Sequence, residues 1–170
     1  MTSPTQAELH TLFEYQGGHF FRKVSTSNRN KIGDKVGSLD GKGYFRILLG
    51  GRVLLLHRLI WLYHFGFMPP ETLDHINRDK TDNRISNLRL ATRSQNQMNK
   101  PRAATNKTGY KNISIRKGVF VVRIKVARKE VVRKALPSLL EAIAYRNKML
   151  PIYHGEFVPE DIVSTALENI

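Results

Sequence analysis

The apolar residues between Leu9 and Leu56 occur in short runs that glycines and polar residues interrupt. Runs of this length bounded by turn-forming residues are typical of β-strands. The pairs Gly17–Gly18 and Gly50–Gly51 favour tight turns between such strands, because glycine adopts positive φ angles at little cost. The pattern predicts a small antiparallel β meander over residues 1–56.

A helical pattern replaces this one in HRLIWLYHF, residues 57–65, where apolar residues recur three and four positions apart. The glycine and two prolines of the following GFMPP end that helix. Beyond them, Leu73–His75 and Leu88–Ala91 predict two short strands on either side of a polar loop at 78–86.

A second helix follows these strands. Thr92 and Gln95 have the spacing of a capping box, in which each side chain accepts a hydrogen bond from a backbone N–H group at the helix start. Asn96 then lies in the first turns of this helix. Residues 98–109 (MNKPRAATNKTG) contain no periodic apolar residues, which predicts a linker.

The rest of the chain predicts a three-stranded antiparallel sheet backed by one helix. ISIRKGVFVVRIKVARKEVVRK, residues 113–134, has turn residues near Lys117–Gly118 and Arg128–Lys129. Its middle strand alternates apolar and basic residues, which gives one buried face and one basic face. Ser138 and Glu141 form a second predicted capping box at the start of the helix.

Charge indicates the class of partner. The 170 residues contain 28 Lys and Arg against 14 Asp and Glu, a net charge of +14. Such an excess favours a polyanion, and nucleic acid is the default candidate. The absence of cysteine excludes disulfides, thiol catalysis and cysteine-based zinc sites. No signal-peptide pattern and no apolar run of the ~18 residues that span a bilayer occur, so we expect a cytoplasmic protein.

An acid and a histidine stand side by side in TLDHINRDKTDNRISNLRLATRSQNQMN. Asp74 and His75 are followed by Asn83, Asn87 and Asn96. A hard divalent cation prefers carboxylate and amide oxygens, and a neutral imidazole can take a proton from water. These are the parts of a metal-dependent phosphodiesterase. The competing interpretation is that each residue merely stabilises a turn, as Asn commonly does.

This stretch resembles the HNH endonuclease motif, in the version common among phage and intron-encoded homing endonucleases, where the third position is Asn. The resemblance implies that Asp74 and Asn96 bind the metal and that His75 is the general base. It also favours Asn87 as the residue that orients His75. The oxygen ligands suit Mg²⁺, with Mn²⁺ a plausible substitute and no zinc.

One geometric condition follows from the strand itself. Neighbours on a regular strand point to opposite faces, so Asp74 and His75 can share a site only if the strand ends or bulges there.

Near this site, we expect Arg58, Arg84 and Arg89 to contact phosphate or to support the catalytic residues.

The C-terminal segment resembles the ethylene-response-factor type of DNA-binding domain. NKTGYKNI, EAIAYRN and HGEF carry the likeness, although Phe120 stands where that family usually has Trp. The resemblance implies a sheet that enters the DNA major groove. From residue 101 to 140 the chain has eleven Lys and Arg and one acid, Glu130. The basic residues predicted to contact DNA from this sheet are Arg116, Arg123, Lys125 and Arg133.

The predicted fold class is α+β: a ββα-metal HNH nuclease module with an N-terminal antiparallel meander, followed by a three-stranded antiparallel sheet and its helix. We place the nuclease module at 1–104, with its core at about 57–99, and the DNA-binding domain at 105–170. The resemblance implies a phage or mobile-element enzyme, a site-selective homing-type endonuclease that nicks double-stranded DNA. The alternative is a DNA-binding regulator without catalytic activity.

Overall fold

A computed structural model describes residues 3–25, 27–100 and 103–158, and it has mixed α and β structure. The chain divides into two compact units, Met1–Ala91 and Thr92–Ile170. No helix in the described ranges is long and apolar enough to cross a membrane.

The first unit begins with a helix that the sequence pattern did not indicate. Helix α1 spans Gln6–Leu12, and Thr5 and Glu8 form its capping box, which is why the apolar run from Leu9 starts as a helix. The predicted meander is two separate three-stranded antiparallel sheets. Their strands are β1 (Phe13–Gln16), β2 (His19–Arg22) and β3 (Lys35–Val36) in one, and β4 (Ser38–Leu39), β5 (Phe45–Leu49) and β6 (Arg52–Leu55) in the other.

The middle of the first unit follows the prediction closely. Helix α2 spans Leu56–Phe65 and ends at Gly66, whose φ of 77° is the left-handed conformation that glycine favours. Strands β7 (Thr72–His75) and β8 (Leu88–Ala91) form an antiparallel pair. The loop between them ends in a 3₁₀ turn at Ile85–Asn87.

One apolar core supports both sheets, the helices and the β7–β8 pair of this unit. Its fully buried members come from α1, β2 and α2, and they are Leu9, Phe20, Leu56, Leu59 and Ile60. Because α2 buries nearly its whole circumference, its N-terminal His57 is held rigidly inside the unit.

The second unit contains helix α3, a sheet and helix α4. Helix α3 spans Arg93–Asn99, and the predicted Thr92–Gln95 capping box is present. Strands β9 (Ile113–Arg116), β10 (Val119–Val126) and β11 (Lys129–Leu136) form the predicted antiparallel sheet in the order β11-β10-β9. Helix α4 spans Leu139–His154 and is followed by a 3₁₀ turn at Gly155–Phe157.

The apolar face of this sheet packs against α4, as the alternating pattern predicts. Val122 and Ile124 of β10 are fully buried with Ala142 and Leu150 of α4. At the start of α4 only half of the predicted capping box forms. Ser138 accepts a hydrogen bond from the backbone N–H of Glu141, and the Glu141 carboxylate accepts one from the Ser138 hydroxyl instead of from its backbone.

The predicted linker at 98–109 is not a free tether in its described part. The Lys111 ammonium donates hydrogen bonds to the carbonyls of Gln97, Met98 and Lys100, at 2.9, 2.7 and 2.6 Å. Thr108 donates to the carbonyl of Ile113. These bonds explain why α3 groups with the second unit, whereas the sequence assigned it to the first module. Residues 101–102 and 159–170 of the predicted segments lie outside the described residues.

Candidate active site

Asp74 and His75 are the last two residues of β7, and both are buried, each with 5% of its surface exposed. The strand ends at His75, whose carbonyl accepts the turn hydrogen bond from Arg78 N. Tyr44 neighbours both residues: its ring centroid lies 6.1 Å from that of His75, and the Asp74 charge contributes to a raised Tyr44 pKa, after burial and Asp40. The predicted condition, a strand that ends at this pair, is therefore met.

Asp74 forms a buried ion pair with Arg89. The two residues face each other in the β7–β8 register. Arg89 Nε and Nη2 donate to Asp74 Oδ2 at 3.0 and 2.9 Å. The side chains are only 5% and 12% exposed, so the strand pairing itself places a positive charge against the carboxylate. Arg89 thus neutralises the Asp74 carboxylate, and its expected role at the site stays a prediction.

His75 is held by Asn83, a residue for which we predicted no specific role. The ring Nε2 lies 2.9 Å from Asn83 Oδ1, and Asn83 is 1% exposed. The Asn83 amide nitrogen donates to the carbonyl of Thr81 at 3.3 Å, which fixes Oδ1 as the atom that faces the imidazole. In the neutral ring Nε2 then carries the proton, and Nδ1 has the lone pair.

Asn87, the residue expected to orient His75, makes its side-chain hydrogen bonds within the loop, and its role towards His75 stays a prediction. Its Oδ1 accepts from Asn77 N at 3.0 Å, and its Nδ2 donates to Asn77 Oδ1 at 2.9 Å and to the carbonyl of Asp82 at 2.7 Å. These bonds tie together the two ends of the loop between β7 and β8. Asn87 therefore fixes the loop.

Aromatic rings surround the imidazole of His75. The His57 ring packs edge-on against it with 5.2 Å between centroids, and Tyr44 lies 5.5 Å from His57. Burial, and then the nearby charges of His75 and Arg58, lower the His57 pKa to about 3. His57 is therefore neutral near pH 7 and adds no competing charge beside His75. The Lys80 ammonium lies 4.7 Å from the Tyr44 ring centroid.

The other predicted arginines of the first unit also have partners. Arg58 donates to the carbonyls of Glu71 and Pro69, at 3.1 and 2.9 Å, which braces the segment before β7. Arg84 makes a two-point ion pair with Asp82 and, by hydrogen bonding, lowers the pKa of that carboxyl to about 2. Their contacts with DNA stay predictions.

Asn96, the second expected metal ligand, lies on α3 in the second unit, and its side chain is half-buried. Its backbone N–H donates to the Thr92 carbonyl, as in a regular first turn. Across the described ranges no group of three or more His, Cys, Asp or Glu side chains could hold a metal ion.

On the second unit, β10 and β11 carry the predicted basic residues. Arg123 and Arg133 face each other in the register and thus share one face of the sheet. Glu130 forms an ion pair with Arg123 and lies 3.8 Å from Arg133, so it offsets part of their charge. Lys125 and Arg116 are exposed.

Sequence comparison connects this geometry to a family. Residues 54–98, which contain α2, β7, β8 and most of α3, match the HNH endonuclease family model. The chain is also 36% identical over 104 residues to an uncharacterised HNH endonuclease of Acanthamoeba polyphaga mimivirus. That alignment covers 60% of this chain and 54% of the relative, so the chain spans about half the length of the protein it matches. No solved structure matches the chain.

The segment that contains the buried Asp74–His75 pair is thus similar to HNH endonucleases. The comparisons do not extend to the likeness between the C-terminal sheet and ethylene-response-factor domains.

Proposed function

We propose that this chain is a divalent-metal-dependent DNA endonuclease with homing-type site selectivity, and that His75 is its general base. One observation carries this proposal: a buried histidine beside a buried aspartate, with its Nε2 committed to Asn83. A general base needs a lone pair in a defined direction, and this hydrogen bond leaves that role to Nδ1. The match of residues 54–98 to HNH endonucleases supports the reaction class.

In the proposed reaction, Nδ1 of His75 removes a proton from a water molecule as its oxygen attacks the scissile phosphorus. The bond from phosphorus to the 3′ oxygen breaks, and the leaving oxygen takes up a proton from solvent. The packed surroundings keep the imidazole in one orientation. His57 is neutral near pH 7 and so places no positive charge beside this ring.

Mg²⁺ fits the oxygen donors that this proposal assigns, the Asp74 carboxylate and the Asn96 amide. Mg²⁺ is commonly bound by one or two carboxylates together with water and substrate phosphate, and Asp74 would supply the carboxylate. Its chemistry when bound is to stabilise the negative charge that develops on the phosphate and the leaving oxygen. Arg89 keeps the Asp74 carboxylate in place on the strand.

The net charge of +14 supports DNA as the substrate. We assign the exposed basic side chains of the second unit, Arg116 and Lys125 among them, to phosphate contacts along the duplex. Arg123 and Arg133 share Glu130, so we expect each of them to add less to DNA affinity than an unpaired arginine. A regulator without catalytic activity would use the same surface but would not need a buried histidine in a fixed tautomer.

Incubation with supercoiled plasmid, with and without EDTA, tests the function. We expect nicked circles with Mg²⁺ and none with EDTA. Asp74→Ala and Asn96→Ala should raise the Mn²⁺ concentration needed for half-maximal cleavage, with Asp74→Ala the larger effect because it removes a charge. Gln97→Ala, an exposed neighbour on α3, is the matched control. DNA binding with no cleavage at any metal concentration would favour the regulator.

A further inference from the structure

The hairpin of β1 and β2 lies outside the segment that matches the HNH family, yet it contacts the loop that holds Asn83. Its turn contains Gly17 and Gly18, both at positive φ, 54° and 90°. A Cβ atom on Gly18 would lie 2.7 Å from Arg84 N and 2.8 Å from the carbonyl carbon of Asn83. Only a glycine lets the hairpin backbone approach the loop backbone this closely.

A second contact joins the same two segments. The Tyr15 hydroxyl accepts a hydrogen bond from the backbone N–H of Ile85 at 3.0 Å. The Tyr15 ring packs edge-on against His64 of α2, with 4.5 Å between centroids. The hairpin therefore contacts the loop at two neighbouring points: Gly18 packs against the Asn83–Arg84 peptide bond, and Tyr15 binds the next N–H group, that of Ile85. Through the Tyr15 ring it also contacts helix α2.

We propose that this hairpin is a positioning element for catalysis: by fixing the Asn83 backbone it holds Oδ1 against His75 and so selects Nδ1 as the base. Asn83 makes one hydrogen bond to the ring of His75. The position of Oδ1 in that bond depends on the position of the Asn83 backbone. The inference rests on the proposed role of His75. Within it, Gly18, Tyr15 and Asn83 act through His75, so they are positioning residues.

Two glycines in one turn provide a matched pair of variants. Gly18→Ala introduces a methyl group against the loop, whereas Gly17→Ala has a similar left-handed φ but no atom within 4 Å of its Cβ position. A displacement of about 1 Å at a catalytic group can reduce the rate about 100-fold. We expect Gly18→Ala to lower kcat by roughly 10- to 100-fold with KM for DNA unchanged. Gly17→Ala should cleave as the parent does.

The coupling to Asn83 separates positioning from a general loss of structure. In an Asn83→Ala background, Gly18→Ala should cause little further loss of kcat, because both changes remove the same interaction. Tyr15→Phe, which keeps the ring and removes only the acceptor for Ile85 N–H, should lower kcat in the same direction and lose its effect in the same background. Equal losses with and without Asn83 would overturn the proposal, as would full activity of Gly18→Ala.

A readout without cleavage keeps this inference distinct from the proposed function. Two-bond ¹⁵N–¹H NMR spectra of the full chain report which nitrogen of His75 is protonated, and the His75→Gln variant assigns the signal. We expect protonated Nε2 in the parent and in Gly17→Ala, and a mixture of tautomers in Gly18→Ala and Asn83→Ala. Protonated Nδ1 in the parent would overturn the positioning role. A parent chain with the expected tautomer that never cuts DNA would overturn the nuclease proposal alone.

Discussion

At the scale of single residues, a histidine acts as a general base only when one ring nitrogen keeps its lone pair and faces the water. His75 meets the first condition because Asn83 occupies Nε2 in a pocket that excludes solvent. Asn83 and Asn87 are four positions apart in a loop rich in asparagine and aspartate. Their spacing does not distinguish which of them reaches the ring, since that depends on the path of the loop.

The proposed base gives the first prediction. His75→Ala should lower kcat by ~10²- to 10⁴-fold, the usual effect of losing a general base, while DNA affinity changes little. His10→Ala, an exposed histidine in the same unit, is the control. Single-turnover cleavage at saturating Mn²⁺ and a separate binding titration measure the two quantities. Equal rates for His75→Ala and the parent would contradict the assignment.

At the scale of elements, side chains decide how α3 and α4 join the second sheet. Lys111 caps the C-terminal end of α3 with three hydrogen bonds to backbone carbonyls. These carbonyls have no partners within the helix, and a cation at that end is also favoured by the helix dipole. His154 stands at the last position of α4 and is buried, with 6% of its surface exposed.

Removal of the Lys111 ammonium should loosen α3. Lys111→Met keeps an apolar chain of similar length and should lower the free energy of unfolding of the second unit by about 1.5–3 kcal/mol, the range for hydrogen bonds to a charged group. Amide hydrogen exchange should increase most at the last turn of α3. Lys148→Met on the exposed side of α4 is the control. Equal destabilisation by both variants would exclude a specific role for the cap.

The buried His154 makes stability depend on pH. Burial, with the nearby Lys111 charge, lowers its pKa to about 4 from an unfolded value of 6.5. Below pH 6.5 the unfolded chain therefore binds a proton that the folded chain does not, so stability falls as the pH decreases from 6.5 towards 4. His154→Leu should flatten the urea midpoint against pH in this window. A parent and variant with parallel pH profiles would show that His154 does not cause the decrease.

At the scale of the whole molecule, the division after Ala91 separates the Asp74–His75 pair from α3 and the basic sheet. The sequence predicted this boundary near residue 104. Asn96 belongs to the first part with the predicted boundary and to the second unit with the division after Ala91. The assignment of cleavage to the first module and DNA recognition to the second stays a prediction. The chain has one Asp-His pair in an HNH-type context, so a monomer is expected to cut one strand at a time.

Truncation tests this organisation. A fragment of residues 1–104 retains Asn96 but lacks the Lys111 cap, so we expect weak, poorly selective nicking that requires metal. The fragment 92–170 should bind DNA and cut nothing. A time course with the full chain should show nicked circles before any linear product. Full site selectivity in 1–104, or double-strand breaks by a monomer without a nicked intermediate, would contradict the two-module proposal.

The sequence by itself determined those helices and strands whose formation depends on residues close together in the chain. Capping at Thr92, the stop of α2 at Gly66, the β7–β8 strands and the alternation along β10 all follow from short-range propensities and periodicity. The Asp-His and asparagine spacings likewise predicted similarity to HNH endonucleases, which the match of residues 54–98 supports. The pattern did not indicate α1, because its seven residues contain only two large apolar side chains, Leu9 and Leu12.

Only the tertiary structure decided which distant groups meet. The approach of Gly18 to the Asn83–Arg84 peptide bond joins residues more than sixty positions apart, and the pairing of Asp74 with Arg89 depends on the strand register. The path of the loop backbone likewise decides that Asn83 contacts His75 while Asn87 bonds to Asp82. It also decides that Lys111 reaches the end of α3. Such contacts arise from packing of the complete chain, so residue spacing cannot determine them.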